Sequence, residues 1–385
     1  MKNKQRGQIR ILHVLNSLNR GGAETMLMNY YRNIDRSQFQ FDFVVHEQNP
    51  GTYANEVKKL GGNIYYVPKF KGYNILTCIY AWQRIFRDAK DDHIVQGHMP
   101  STAGLYLILA RLNGRLAVVH AHSDDRTNED SIGRRIVRKI LYQLTRQVAQ
   151  RFYGCSKRAG KARYGKVIVE SESFALWRNA IDYERFAFRQ ATRNALRSKL
   201  GVSASTFVVG HVGRFTWAKN HDFLIQLFAE FHKYHPDSRL LLVGDGELHK
   251  KIEKQLHVLG INESAIMTGA VDNVEDYMAA MDVFVFPSHY EGLPTVNVEA
   301  QINGLRCLIS DSVTKEVCIS SEQVKFLSLA DKNAWLTELE KNITIIRHSS
   351  PIALQNREYD IVSSVKWAEG EYKRLYREYN LGESE

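Results

Sequence analysis

The chain has 385 residues, 44% of them hydrophobic, and a formal net charge of +10, which suits roughly two domains of a soluble globular protein. Its four cysteines, Cys78, Cys155, Cys307 and Cys318, lie far apart without metal-ligand spacing; this fits a reducing cytosol and argues against a zinc site. No stretch approaches the ~20 apolar residues that a membrane span needs.

In chain order, a polar tail leads into "IRILHVL" (9–15), read as the first strand and not as a signal peptide. The Gly turn "NRGGAET" and the helical "MLMNYYRNI" follow. Next come "QFDFVVHE", a helix over "TYANEVKKLG", "NIYYVP", a helix near 74–90, "HIVQGH", a helix from "STAGLYLILARL", and "LAVVHAH". A second series opens at "FVVGHVG" (207–213) and runs through a helix at 221–234, "RLLLVGDG", a helix at 247–259 and "AIMTG". A helix at 274–281, "DVFVFPS", a helix at 294–304 and "RCLISDS" complete it. Short apolar runs alternating with helices predict parallel sheets built from βαβ units. The polar stretch 182–203 marks a boundary, giving an α/β chain of two doubly wound domains at 1–185 and 186–385. The final helical stretch, "SSVKWAEGEYKRLYREYN", could pack across to the first domain. Ligands of open parallel sheets sit at the carboxyl ends of the strands, so two such domains facing a central cleft would line it with those loops.

Charge is unevenly spread. Residues 1–185 hold 30 Lys and Arg against 16 Asp and Glu, whereas 186–385 hold 22 against 26. Within 131–169 there are 11 basic residues and no acid, with Ile136, Ile140, Leu141 and Leu144 at helical spacing. A solvated basic helix with an apolar stripe against the core accounts for this. Attraction to anionic lipid head groups or to nucleic acid is the alternative.

Four strand-end loops could carry chemistry. Gly21 and Gly22 lead into a helix whose N–H groups can meet an anion, although a plain strand-to-helix turn reads the same way. His98, His120 and His122 end consecutive strands, with His120 and His122 on one face or edge by alternation. Any one alone could be an ordinary core or surface histidine; together they point to a ligand site. Arg214 and Lys219 project from the loop after 207–213, beside a helix start, which suits a diphosphate. Finally, "YEGLPTVNVEA" (290–300) follows a buried strand, and Pro294 fits the first turn of the next helix. The amides of Leu293, Thr295 and Val296 would form an anion site there. Glu299, about 7.5 Å along the helix from Pro294, would be repelled by phosphate, so it should touch a neutral hydroxylic group such as ribose. Glu291, in the loop, could accept from sugar hydroxyls.

These residues resemble the retaining glycosyltransferases of family 4, which have the GT-B fold of two Rossmann-like domains. The E-x7-E stretch "EGLPTVNVE" carries the resemblance, with "HVGRFTWAKNH", "LLLVGDGEL", "NAIDYERF", "GCSKRAGK" and "GGAE" around it. Within the family the chain looks closest to exopolysaccharide and capsule enzymes of the EpsF type, where a "TKEV" stretch (Thr314–Val317) is typical. The resemblance implies a nucleotide-sugar donor, usually linked to uridine diphosphate, bound by the second domain, with the acceptor on the first. Arg214 and Lys219 would grip the diphosphate, Glu299 the ribose, and Glu291 with Gly292 and Leu293 the transferred sugar. Gly213, Gly246 and Thr295 would join the donor site, the base would lie by Thr268 and Gly269, and Gly21 and Gly22 would approach the donor phosphate. His122 is the family's first-domain histidine, with His120 as second choice.

Such enzymes use no bound metal, and no D-x-D motif occurs, so no cofactor is expected. Charge on the departing diphosphate would be neutralised by Arg214, Lys219 and helix N-termini. The acceptor hydroxyl would attack from the leaving-group face and give its proton to a diphosphate oxygen. Retaining glycosidases instead set two carboxylates about 5 Å apart around the anomeric carbon; Glu291 and Glu299 read better as binding residues. The acceptor would be a glycan or a lipid diphosphate-linked sugar, and the place the cytoplasm, including the inner membrane face. The rival readings are another enzyme of the same fold (an epimerase or an inverting transferase) and a basic nucleic-acid-binding protein. Against the latter, the basic segment lacks interleaved aromatics or a recognisable reading helix.

Overall fold

Runs rich in Val, Ile, Leu and Phe form the strands of parallel sheets, and Val283–Phe286, buried at every position, is apolar throughout and not alternating. The computed structural model describes residues 8–49, 51–89, 92–99, 102–122, 132–345, 347 and 357–382. The polar tail at 1–7, residues 123–125 of "HAHSDD" and residue 131 of the basic segment lie outside that range. The chain forms two units: Met1–Ala180 with Glu358–Glu385, and Ile181–Arg357. Residues 181–185 therefore belong with the second unit and the last helix with the first.

The first unit holds β1 (Ile9–Val14), β2 (Phe39–Val45), β3 (Ile64–Tyr66), β4 (Asp92–Gly97), β5 (Leu116–Ala121), β6 (Arg151–Gly154) and β7 (Phe174–Leu176). They lie in the order β3-β2-β1-β4-β5-β6-β7, and every pair is parallel. In helix Ile361–Gly382, Ile361, Val365, Ala368, Tyr372 and Leu375 recur every three or four residues and are all buried in this unit's core. Polar bonds fix its register: the Tyr372 hydroxyl donates to Gln96 Oε1 at 2.8 Å, and Glu371 accepts from Tyr153 and from Arg151, both at 2.8 Å.

The basic helix Ile132–Val148 divides its apolar stripe. Leu141 and Leu144 are half-buried against helix Ala103–Leu112, which approaches so closely that a Cβ on Gly104 would lie 2.7 Å from the Leu141 carbonyl oxygen. Ile136 and Ile140 do not face the core; they are 54% and 55% exposed.

The second unit holds β8 (Phe207–Val212), β9 (Ser238–Val243), β10 (Ala265–Met267), β11 (Val283–Phe286), β12 (Arg306–Ser310) and β13 (Val324–Leu327). Their order is β10-β9-β8-β11-β12-β13, again with parallel pairs. The two sheets thus share one winding pattern. Each reverses its strand order once, between β1 and β4 in the first and between β8 and β11 in the second. At such a switch point the flanking loops diverge and leave a crevice at the carboxyl ends of the strands. No described helix is long and apolar enough to cross a membrane.

Candidate active site

The second unit's crevice is built by backbone groups that approach too closely for side chains. After β8 the Gly213 N–H donates to the Val243 carbonyl at 3.0 Å, and the Gly244 N–H donates to that of Gly269 at 3.0 Å. Gly244 has φ +138, and a Cβ there would stand 2.1 Å from the Gly213 oxygen, so only glycine fits. The Phe215 N–H donates to the Asp245 carbonyl at 2.9 Å, and a Cβ on Gly246 would meet the Phe215 oxygen at 2.5 Å. Gly213, Gly246, Thr268 and Gly269 thus shape the loops after β8, β9 and β10.

The loops after β8 and β11 are joined across the switch point. The His289 N–H donates to the Ala218 carbonyl at 2.9 Å, and the Trp217 and His289 rings stack at 4.4 Å. Lys219 Nζ lies 2.6 Å from Glu291 Oε1, each side chain being 16% exposed, and 4.6 Å from the centre of the Phe286 ring. Asn220, in the left-handed region at φ 53, turns the chain into helix His221–Tyr234. Arg214 is exposed in the same loop, with no side-chain partner among the described residues.

Helix Thr295–Ile302 begins directly after Glu291, Gly292 and Leu293, and Pro294 stands outside it as the N-cap at φ −76 and ψ 96. This corrects its placement in the first turn: at that ψ the proline ends the extended loop, and Thr295 opens the helix. Gln301 anchors the helix from behind, accepting from the Ile319 and Ser320 N–H groups at 2.9 and 3.1 Å and donating to the Val317 carbonyl at 2.8 Å. The "TKEV" turn is therefore tied to the helix. Burial pushes the Glu299 carboxyl up to about 7, against the pull of Arg185. Arg185 is itself held by Glu275 at 2.8 and 2.9 Å.

The first unit's switch point carries histidines. His13 is the penultimate residue of β1 and His98 follows β4; His13 Nδ1 is 3.0 Å from His98 Nε2, and His98 Nδ1 is 2.8 Å from His122 Nε2. His120 lies with its ring 4.1 Å from that of His122 and its Nε2 3.1 Å from the Trp177 carbonyl oxygen. Burial holds His13 down at about 3 and His122 at about 4. Burial first, and then the neighbouring rings, hold His98 and His120 well below the usual range. All four are neutral at pH 7. Gly21 and Gly22 stand at the start of helix Gly22–Asn33, with Gly21 as its N-cap. Nothing lies within 4 Å of the position a Gly22 Cβ would take.

With this geometry in hand, similarity decides the family. Residues 20–185 match glycosyltransferase family 4, and 192–342 match glycosyl transferases group 1. The glycosyltransferase EpsF of Bacillus subtilis (strain 168) is 35% identical over 325 residues, covering 84% of this chain and 85% of the relative. The chain belongs to the family 4 glycosyltransferases. An Escherichia coli relative, UDP-Gal:alpha-D-GlcNAc-diphosphoundecaprenol alpha-1,3-galactosyltransferase, is 27% identical over 86% of this chain and 87% of its own. Among solved structures, Anabaena HepE in complex with UDP superposes with a TM-score of 0.77 at 19% identity, over 95% of this chain and all of that one. That likeness shows the two-domain GT-B fold.

Within this glycosyltransferase the structure brings Lys219 to Glu291 and sets Arg214, Gly292, Leu293 and Thr295 on the same two loops and helix start. It places His98, His120 and His122 in one cluster. Sequence reasoning passed over His13, a polar residue near the end of a strand that is apolar apart from it and Arg10, and the Arg185–Glu275 pair that flanks Glu299. His13 breaks the run "IRILHVL", which was a usable signal. Arg185 had none, because its partner is 90 residues away.

Proposed function

We propose that this glycosyltransferase moves a sugar, with retention of anomeric configuration, from a uridine diphosphate sugar to a hydroxyl of a growing polysaccharide. The acceptor would be a glycan or a lipid diphosphate-linked sugar at the cytoplasmic face of the membrane. The observation that carries this reading is the Lys219–Glu291 pair at the second unit's switch point, beside an exposed Arg214 and the start of helix Thr295–Ile302. Arg214, Lys219 and the helix N–H groups oppose the charge that grows on the departing diphosphate, which needs no divalent metal. Glu291, with Gly292 and Leu293, faces the transferred sugar. Glu299 takes the ribose and the loop of Thr268 and Gly269 the base. The acceptor oxygen bonds to the anomeric carbon as the bond to the diphosphate oxygen breaks, and that oxygen takes the acceptor's proton. His122, neutral, hydrogen-bonds sugar hydroxyls.

Support for the polysaccharide setting comes from the relatives' names, which include a capsular polysaccharide biosynthesis glycosyltransferase of Staphylococcus aureus. Exposed Ile136, Val137 and Ile140, set among Arg135, Arg138 and Lys139 on one helix, suit an anionic membrane surface better than nucleic acid. A hydrolysis and thermal-shift screen against uridine and guanosine diphosphate sugars tests the donor, and proton NMR of the product linkage tests retention. Stabilisation by guanosine sugars alone, or an inverted linkage, sinks the corresponding part.

Glu299 adds a pH dependence. A carboxylate accepts from ribose hydroxyls more strongly than the neutral acid does, and Glu299 ionises only as pH rises through about 7. Donor affinity is therefore expected to rise about tenfold between about pH 6 and 8, measured by calorimetry, and Glu299→Gln should flatten the profile. The sign for stability is opposite. The folded value lies above the ordinary 4.5, so the folded state holds the proton more tightly, and this group's contribution falls as pH rises from about 4.5 through 7. A wild-type affinity that does not change with pH removes the ribose role.

A further inference from the structure

We propose that Trp217, backed by His289, is a stacking platform for the pyranose ring of the transferred sugar. It stands in the second unit, where the loops after β8 and β11 meet. The inference rests on the proposed donor chemistry and adds to it a residue that senses the sugar and not the nucleotide.

The chain has five tryptophans, and Trp217 is the most exposed of them. Trp82, Trp177 and Trp335 are buried and Trp367 is partly covered, whereas Trp217 is 64% exposed. A ring of this size is ordinarily well buried, and holding it in water forgoes the gain of burial. Yet it is not loose. The indole stacks on the His289 ring at 4.4 Å with the planes 22° apart, and the Tyr290 ring, itself 42% exposed, stands 6.1 Å away at 43°. Burial lowers the His289 imidazole below its usual value, so at pH 7 two uncharged rings are stacked. His289 covers one face of the indole, and the high exposure leaves the opposite face to solvent.

The position of the stack names its occupant. Two side-chain rungs join the loops after β8 and β11: Trp217 on His289, and Lys219 on Glu291 at 2.6 Å. They are two residues apart on both loops, and the bond from the His289 N–H to the Ala218 carbonyl lies between them. A sugar whose diphosphate is held by Lys219 and whose hydroxyls reach Glu291 therefore adjoins the indole. A pyranose carries hydroxyls at its rim and C–H bonds on its faces. The face of an aromatic ring is the negative part of its quadrupole and attracts such C–H groups, while the carboxylate accepts from the rim. An apolar aromatic surface with a few placed polar groups is how small-ligand sites combine affinity with orientation. The plainer role, shielding the Lys219–Glu291 pair from water, would act on the diphosphate and not on the sugar, and the experiment separates the two.

Calorimetry on the full-length protein compares wild type, Trp217→Ala, Trp217→Phe and His289→Ala, each with uridine diphosphate alone and with its glucose, galactose and N-acetylglucosamine conjugates. For the conjugate that wild type binds best, Trp217→Ala is expected to weaken binding by about tenfold and His289→Ala by about two- to threefold. Trp217→Phe should keep most of the affinity, and uridine diphosphate alone should bind all four proteins equally. Equal losses for the nucleotide and its conjugate in Trp217→Ala, or no loss for either, overturn the platform. A wild type that binds only guanosine nucleotides sinks the uridine reading and leaves the same comparison open with guanosine diphosphate and its mannose conjugate; binding of no nucleotide sugar at all overturns both. Should Trp217→Ala not fold, fluorine NMR of 5-fluorotryptophan-labelled wild type decides, with the Trp217 resonance assigned by Trp217→Phe. A shift with the conjugate that the nucleotide alone does not produce supports the platform; the same response to both, or none, overturns it.

Discussion

Lys219→Ala is expected to lower turnover by about 10²–10³-fold, the cost of removing one fixed electrostatic group aimed at developing charge. Lys219 cannot wander: its ammonium is tethered to Glu291 at 2.6 Å and rests over the Phe286 ring. A cation held in place before the substrate arrives needs little reorganisation when the diphosphate departs. The same pairing cancels much of the Glu291 charge, so under the proposed function a donor's phosphates would meet a neutralised loop and not a bare carboxylate. Because both side chains are only 16% exposed, the alanine variant leaves Glu291 poorly solvated, and a stability loss of about 1 kcal/mol accompanies the catalytic one. Arg214→Ala separates the two effects, since its exposed side chain contributes little to the fold. It should reduce turnover by a comparable factor with an unchanged melting temperature. Initial rates with the donor identified by screening, beside circular-dichroism melts, make the comparison. A double alanine variant with full activity would show that neither cation serves the diphosphate.

Much of this arrangement was legible in the sequence, and the rest was hidden for definite reasons. Strands such as Phe207–Val212 and Val283–Phe286 are buried at every position and, His211 apart, carry no polar side chain; flanked by loops, they stand out. β6, β7 and β13 do not: they are three or four residues long, as in "FAL" or "VKFL", and depend on neighbouring strands for definition. Helix Gln190–Lys199 lies in a stretch that reads only as a polar boundary, because its burial is confined to Leu196 and Arg197. At the site, "EGLPTVNVE" was readable as a loop, a helix start and two separately placed acids. The partner of Glu291 was not readable, since Lys219 lies 72 residues away and reaches it only because β8 and β11 are sheet neighbours. The histidines follow the same logic. His120 and His122 are visible as an alternating pair, whereas His13 joins them through the adjacency of β1 and β4.

The second large effect falls on stability: Asp282→Ala is expected to cost about 3–5 kcal/mol, as for a buried ion network that loses one partner. Asp282 precedes β11 and accepts from Arg193 at 2.5 Å, from Arg197 at 3.2 Å and from the Val208 N–H at 2.7 Å. Both arginines come from helix Gln190–Lys199, so one carboxylate fastens that helix to the amino ends of β8 and β11. Removing it orphans the Val208 N–H and leaves Arg197, only 4% exposed, with backbone carbonyls of Ala280 and Ser203 as neutral partners. Those remaining acceptors place the cost toward the lower end of the range. For a unit of this size each kcal/mol moves the midpoint by about 2–4 °C, so a fall of about 6–12 °C in the second unit's transition is expected by calorimetry. Asp282 sits at the amino ends of the strands and Lys219 and Glu291 at the carboxyl ends, so turnover per folded molecule should stay at the wild-type value below the transition. An unchanged midpoint would mean that the helix is held by its apolar contacts alone; a loss of turnover at full folding would mean that the amino-end network reaches the loops.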